Sequence, residues 1–170
     1  LARYLSEVEG ISAEPLEGDD GITSGEAEGE VGLGRGEDVH ITPMTAAKDG
    51  AQYSTPRWDP AGERLAVSVW KPGGFRDVHV FDADMALLRT ITWDRATDSD
   101  PTWSPDGRHL VFASDRDGVW NLYAHRWQDG SLWRITRLLG GARHPDVSPD
   151  GQHLVFQGYT ASGWTLEEVA

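Results

Sequence analysis

Four kinds of side-chain grouping in this sequence could do chemistry. Serine hydrolysis needs a nucleophile on a sharp Gly-x-Ser-x-Gly elbow. Ser24 in ITSGEAEG and Ser162 in TASGW each sit beside glycine, and neither has that pattern. Zinc hydrolysis needs paired histidines, as in His-Glu-x-x-His. The six histidines (His40, His79, His109, His125, His144 and His153) are instead scattered. His109 and His153 each follow a Pro-Asp-Gly turn at the same offset, which reads as service to a repeat. The segment DRDGVWN, with Asp115, Asp117 and Asn121, has the alternating oxygens of a calcium loop. It lacks the bidentate glutamate that closes an EF-hand loop, and an Asp-Gly hairpin accounts for it. Asp98 with Asp100 could act as an acid and base pair, but nothing in the sequence places a substrate between them. No catalytic residue, metal or cofactor is therefore expected in this chain.

Charge and composition narrow the partners. The net charge is −13, and residues 1–40 hold eleven acids against Arg3 and Arg35. The rest carries mixed signs and no basic stripe, so nucleic acid is not an expected partner. There is no cysteine, which excludes disulfides and thiolate metal sites. No apolar run approaches the roughly 18–20 residues of a membrane helix, so direct membrane insertion is not expected. The first residue is Leu, and no basic start with an apolar core follows it.

The elements that would position any site come from a repeat. A proline–glycine turn recurs with its glycine at Gly62, Gly107 and Gly151. From Trp58, Trp103 and Val147 a leucine falls seven residues on (Leu65, Leu110, Leu154), and an aromatic seventeen on (Phe75, Trp120, Trp164). A period of about 44 residues suits a propeller blade of four strands. The pieces agree: Ser-Pro-Asp-Gly is a tight turn, HLVFAS and HLVFQG are strands buried on both faces, and VWNLYAHRW alternates. SLWRITRL and ALLRTITWD read as outer strands, sharing an Ile-Thr pair with Ile41–Thr42.

The reading is an all-β fold, a partial β-propeller of four-stranded antiparallel blades, about three in number. Residues 39–54 end a preceding blade, 55–100 and 101–144 are whole blades, and 145–170 is an incomplete one. Propellers close with about four to eight blades. An open arc leaves unpaired edges, so a longer protein or self-association is expected. Before the blades, LARYLSEVE could form a turn or two of helix, and residues 1–38 as a whole read as an acidic, Gly-rich arm or linker.

The stretch PTWSPDGRHLVFASDRDGVWNLY resembles the repeat of TolB-type β-propellers, as do PRWDPAGERLAVSVWKPGGFRDV and PDVSPDGQHLVFQGYTASGWTL. The first copy departs from it, since Asp59-Pro60-Ala61-Gly62 lacks the Ser and the Asp. Together with LLGGARHPDV, the copies look like the propeller region of bacterial envelope proteins that carry a C-terminal surface-antigen barrel of the BamA type. That resemblance implies a periplasmic or cell-envelope propeller whose partner is another protein, or the remaining blades or barrel of the same one.

In a propeller the outer-to-inner connections and the middle hairpins share one face. That places Asp94, Arg95, Asp98, Asp100, Asp115, Arg116, Asp117, Arg143 and His144 on one rim, as charged loop residues the repeat does not demand. The leading expectation is a non-catalytic binding or scaffolding module. The alternatives are the gating propeller of a prolyl-oligopeptidase-type serine peptidase, whose catalytic domain would lie outside this chain, and a carbohydrate- or calcium-binding propeller.

Overall fold

The computed structural model describes residues 43–44 and 50–169. The helical turns expected near the N-terminus, the acidic segment to residue 38 and the Ile41–Thr42 strand fall outside them. Among the described residues, eleven strands form three antiparallel sheets. The first runs β1 (Gln52–Trp58), β2 (Arg64–Trp70), β3 (Arg76–Asp82) and β4 (Leu87–Thr90), paired in that order. The second repeats it with β5 (Asp98–Trp103), β6 (His109–Ser114), β7 (Asn121–Arg126) and β8 (Leu132–Arg134). The third has β9 (Ala142–Val147), β10 (Leu154–Thr160) and β11 (Gly163–Val169), with β10 in the middle. This is the all-β arc of propeller blades that the repeat predicts. Among the described residues there is no α-helix, and no helix long and apolar enough to cross a membrane.

Strand periodicity sends alternate residues to opposite faces, and here both faces are used. On β6, Leu110 and Phe112 join Tyr123 and Trp103 against Ala66, Val78 and Val80 of the first sheet. Val111 and Ala113, one residue out of phase, join Leu122 and Ala124 against Leu154 and Phe156 of the third. The middle sheet thus packs apolar side chains on both faces, and β7, expected to bury one face, buries both. The recurring leucines are core residues in every copy. Of the recurring aromatics, Phe75 and Trp164 are 47% and 57% exposed at their hairpins, while Trp120 packs partly buried against the core.

Turns and strand ends show why the sequence repeats where it does. Ser104 Oγ accepts from the His109 amide at 2.9 Å and donates to Asp106, whose Oδ1 accepts from the Arg108 amide at 3.0 Å. Ser148 and Asp150 do the same in the next copy. Gly107 and Gly151 hold φ of 65° and 71°, which favours glycine. In the first copy one carboxylate replaces the Ser–Asp pair. Asp59 Oδ1 accepts from the Glu63 and Arg64 amides at 2.8 and 3.1 Å, and Oδ2 takes Arg64 Nε at 2.7 Å. The outer strands are shorter than the sequence suggests, because the Ile-Thr pair finishes the ladder by other means. The Ile91 and Ile135 amides donate to the Val78 and Leu122 carbonyls. The Thr92 and Thr136 hydroxyls then accept from the Val78 and Leu122 amides at 3.0 and 2.9 Å.

Phe112→Ala should cost about 3–5 kcal/mol in chemical denaturation, since it opens a cavity between two sheets. Burial pushes the Asp59 carboxyl up, but the hydrogen bonds from Arg64 and Glu63 and the Arg64 charge outweigh it and hold it below its ordinary 3.8. A depressed carboxylate contributes stability above the unfolded value and loses it as pH falls through the folded one. Asp59→Asn is therefore expected to cost about 1–3 kcal/mol at neutral pH, with the gap to wild type closing in acid when unfolding is followed from pH 7 to 2.

Candidate binding face

One end of the three sheets gathers the β4–β5 connection (residues 91–97), the β6–β7 hairpin (115–120), the β8–β9 connection (135–141) and the first halves of the inner strands. Each inner strand is irregular there. Register breaks between Ser54 and Arg57, and between Ser99 and Thr102, and the pairing of β9 with β10 shifts in the same way. At each break a non-glycine residue precedes proline with positive φ: Thr55 at 50°, Asp100 at 56° and His144 at 52°. Proline donates nothing to a ladder, so a bulge accommodates it. A left-handed non-glycine residue costs about 1–2 kcal/mol, so surrounding contacts must hold it.

For Asp100 those contacts cross between blades. Arg143, on β9, donates from Nε and Nη2 to Asp100 Oδ2 at 3.2 and 3.0 Å, and from Nη2 to Ser99 Oγ at 3.2 Å. His144 Nδ1 lies 3.4 Å from the same carboxylate oxygen. The Arg143 guanidinium also sits 4.5 Å over the Trp120 ring. A bidentate, aromatic-backed arginine is well suited to such a clasp.

Arg116 organises the rest. Its Nη2 lies 3.1 Å from Asp98 and 3.5 Å from Asp94, and its Nε donates to Ser114 Oγ at 2.9 Å. Asp98 has no exposed side-chain surface. Burial raises its carboxyl above the ordinary value and outweighs the Ser114 hydrogen bond and the Arg116 charge. Asp115 accepts the Thr97 amide at 2.7 Å. Asp117 accepts the Tyr123 hydroxyl at 2.7 Å and Arg134 at 2.6 Å. The Tyr123 bond, then Arg134, hold its carboxyl low, while burial and Asp117 push Tyr123 up to about 12. Asn121 accepts from Thr136 and from the Leu138 amide. The oxygens of the calcium-like segment are therefore engaged within the fold. Among the described residues no group of three His, Asp or Glu could hold a metal ion.

The nine residues named from the sequence do lie at this end, in two groups. Asp98 and Asp100 are on β5, and Arg143 and His144 on β9, so these four are strand residues rather than loop residues. Asp98, Asp100, Asp115, Arg116 and Arg143 spend their polar atoms inside the arc. Asp94, Arg95, Asp117 and His144 face solvent. Sequence reasoning missed the apolar members of the face. Trp93 is 82% exposed and Leu139 is 99% exposed, each in a connection between blades. Trp93 directly follows an Ile-Thr pair where the next copy has Arg137, so its departure from the repeat was the available signal.

The family model for the TolB beta propeller domain matches residues 41–168. The Tol-Pal system protein TolB of Alcanivorax borkumensis is 34% identical over 74 residues, covering 44% of this chain and 17% of its own length. The uncharacterized peptidase YuxL of Bacillus subtilis is 29% identical over 96 residues, covering 53% of this chain and 15% of its own. Among solved structures, the crystal structure of TolB from Acinetobacter baumannii shares the fold at a TM-score of 0.65 and 21% identity, over 80% of this chain and 33% of that one. The chain thus spans well under half the length of each of these proteins.

Asp98→Asn tests the buried pair. With its folded value raised above 3.8, Asp98 favours the folded state below that pH and loses this contribution as pH rises toward the folded value. The variant lacks this term, so its stability should gain on wild type as denaturation curves move upward from pH 4. A gap that does not change with pH would show that Asp98 ionises normally.

Proposed function

The chain belongs to the TolB beta propeller domain family, and from that premise we propose that its blades are a non-catalytic protein-binding module of a bacterial cell-envelope protein, acting through the face that carries Trp93 and Leu139. The observation that carries this reading is the exposure of those two side chains. Isolated exposed apolar residues are ordinary. A tryptophan and a leucine at the tips of interblade connections, beside a network that holds the strand ends, are what interface anchors require. The solvent-facing charges of Asp94, Arg95, Asp117 and His144 would supply the polar rim around them. The members engaged within the fold, Asp98, Asp100, Asp115, Arg116 and Arg143, would hold the platform in shape. The periplasm is the location in keeping with the TolB resemblance.

A second reading has a specific observation behind it, the likeness to the peptidase YuxL. In that reading the same face would abut a hydrolase domain elsewhere in the polypeptide.

A photo-crosslinking residue placed at 93 or 139 of the full-length protein in its own bacterium separates the two. The binding module predicts adducts with a separate envelope protein from both positions and none from position 61, in a turn at the opposite end. Adducts that map only within the same polypeptide would favour the peptidase arrangement. Equal labelling from all three positions would overturn both.

A further inference from the structure

The opposite end of the sheets holds a second feature, which goes beyond the binding face. A cleft of about 630 Å³ opens between the first and second sheets, lined by Arg64, Arg108, His109, Arg126, Trp127 and Gln128. It lies against the Ser-Pro-Asp-Gly turn of the second sheet, where the Trp127 amide donates to the Arg108 carbonyl at 2.8 Å. The repeat does not demand it. The position of Arg64 holds histidine in the other two copies, His109 and His153.

The cleft is built rather than incidental. Arg64 is fixed by Asp59 and by the Gly107 carbonyl at 2.8 Å, with its guanidinium 4.4 Å from the Trp103 ring and 4.8 Å from the Trp127 ring. Arg89 lies 4.2 Å from the Trp127 ring and donates to the Trp127 carbonyl. Two guanidinium groups therefore share one indole. Among the described residues, Arg89 has no carboxylate within ion-pair distance, and the buried Trp103 Nε1 has no acceptor. Arg108 is only 3.9 Å from Asp106 at its nearest approach, and both are exposed. Three guanidinium groups and no carboxylate line the cleft, in a chain of net charge −13.

The geometry points to a binding site for carboxylate groups of an acidic peptide segment. A carboxylate is acceptor-only and matches the guanidinium fork. Asp106 and Asp129 stand beside Arg108 and Arg126. With Asp59 on Arg64 they offset all but Arg89, and this excess of one positive charge suits a singly charged carboxylate better than a dianionic phosphate. The fixed Arg64 lines the cleft, Arg89 braces the Trp127 ring, and the exposed Arg108 and Arg126 supply the adjustable contacts.

Calorimetric titration of the full chain tests this with three probes: acetylated triglutamate amide, the matching triglutamine, and inorganic phosphate. Saturable binding of triglutamate is expected, weakening with salt, with no binding of triglutamine. The double substitution Arg108→Ala and Arg126→Ala touches only exposed side chains. It should reduce triglutamate affinity about tenfold or more while thermal unfolding stays as in wild type. Binding of phosphate as tight as triglutamate would overturn the assignment, as would absent binding or equal affinity in the double variant. If the double variant unfolds early, Arg108→Gln and Arg126→Gln, tested singly, must each weaken binding for the proposal to stand.

Discussion

The middle blade has two apolar faces, and a neighbouring sheet covers each. Leu110 and Phe112 are buried on one side and Val111 and Ala113 on the other, each pair only because a neighbouring sheet lies against it. Burial of such side chains contributes about 1.5–3 kcal/mol each, so the stacking of unlike sheets is the main cohesive term. It also explains why the turn, the leucine and the Ile-Thr pair return in step. A residue that slipped by one position would move its whole strand's apolar set to the wrong face.

Stacking alone leaves the ends of the sheets unresolved, and the two ends solve this differently. At one end the inner strands bulge at a left-handed residue before proline, and Arg143 and Arg116 reach across to carboxylates that would otherwise be buried unpaired. Polar groups buried without partners are costly, so these side chains serve the fold first. What projects beyond them is Trp93, Leu139 and the solvent-facing charges. At the other end the turns pack against the preceding blade, and Arg64 pins one turn to the next through the Gly107 carbonyl. The same arginine forms the floor of a cleft with spare donors.

The first copy illustrates how a repeat can drift without losing its structure. Asp59 does with one carboxylate what Ser104 and Asp106 do with two side chains. The gain is a buried acceptor for Arg64, which the histidines of the later copies do not need. Departures from the repeat, at Asp59, Arg64 and Trp93, coincide with the places where this arc has acquired something of its own.

The amino-acid order by itself determined the strands, the turns and the blade architecture. Those depend on local periodicity and on Pro, Asp and Gly at set spacings, all of which are written within a few residues of where they act. It also grouped Asp94 through His144 at one end of the sheets, where the structure places them. It could not say that Asp98 and Asp100 are strand residues turned inward, that Arg143 is committed to the blade before its own, or that Phe75 and Trp164 stay half-exposed. Nor could it single out Trp93, Leu139 or the Arg64–Trp127–Arg89 stack. The Arg143 clasp and the Arg64–Trp127–Arg89 stack depend on which side chain of one blade meets which of another, from 38 to 63 residues away. Such a meeting is decided by sheet stacking and charge pairing in three dimensions, for which no short sequence interval carries a sign.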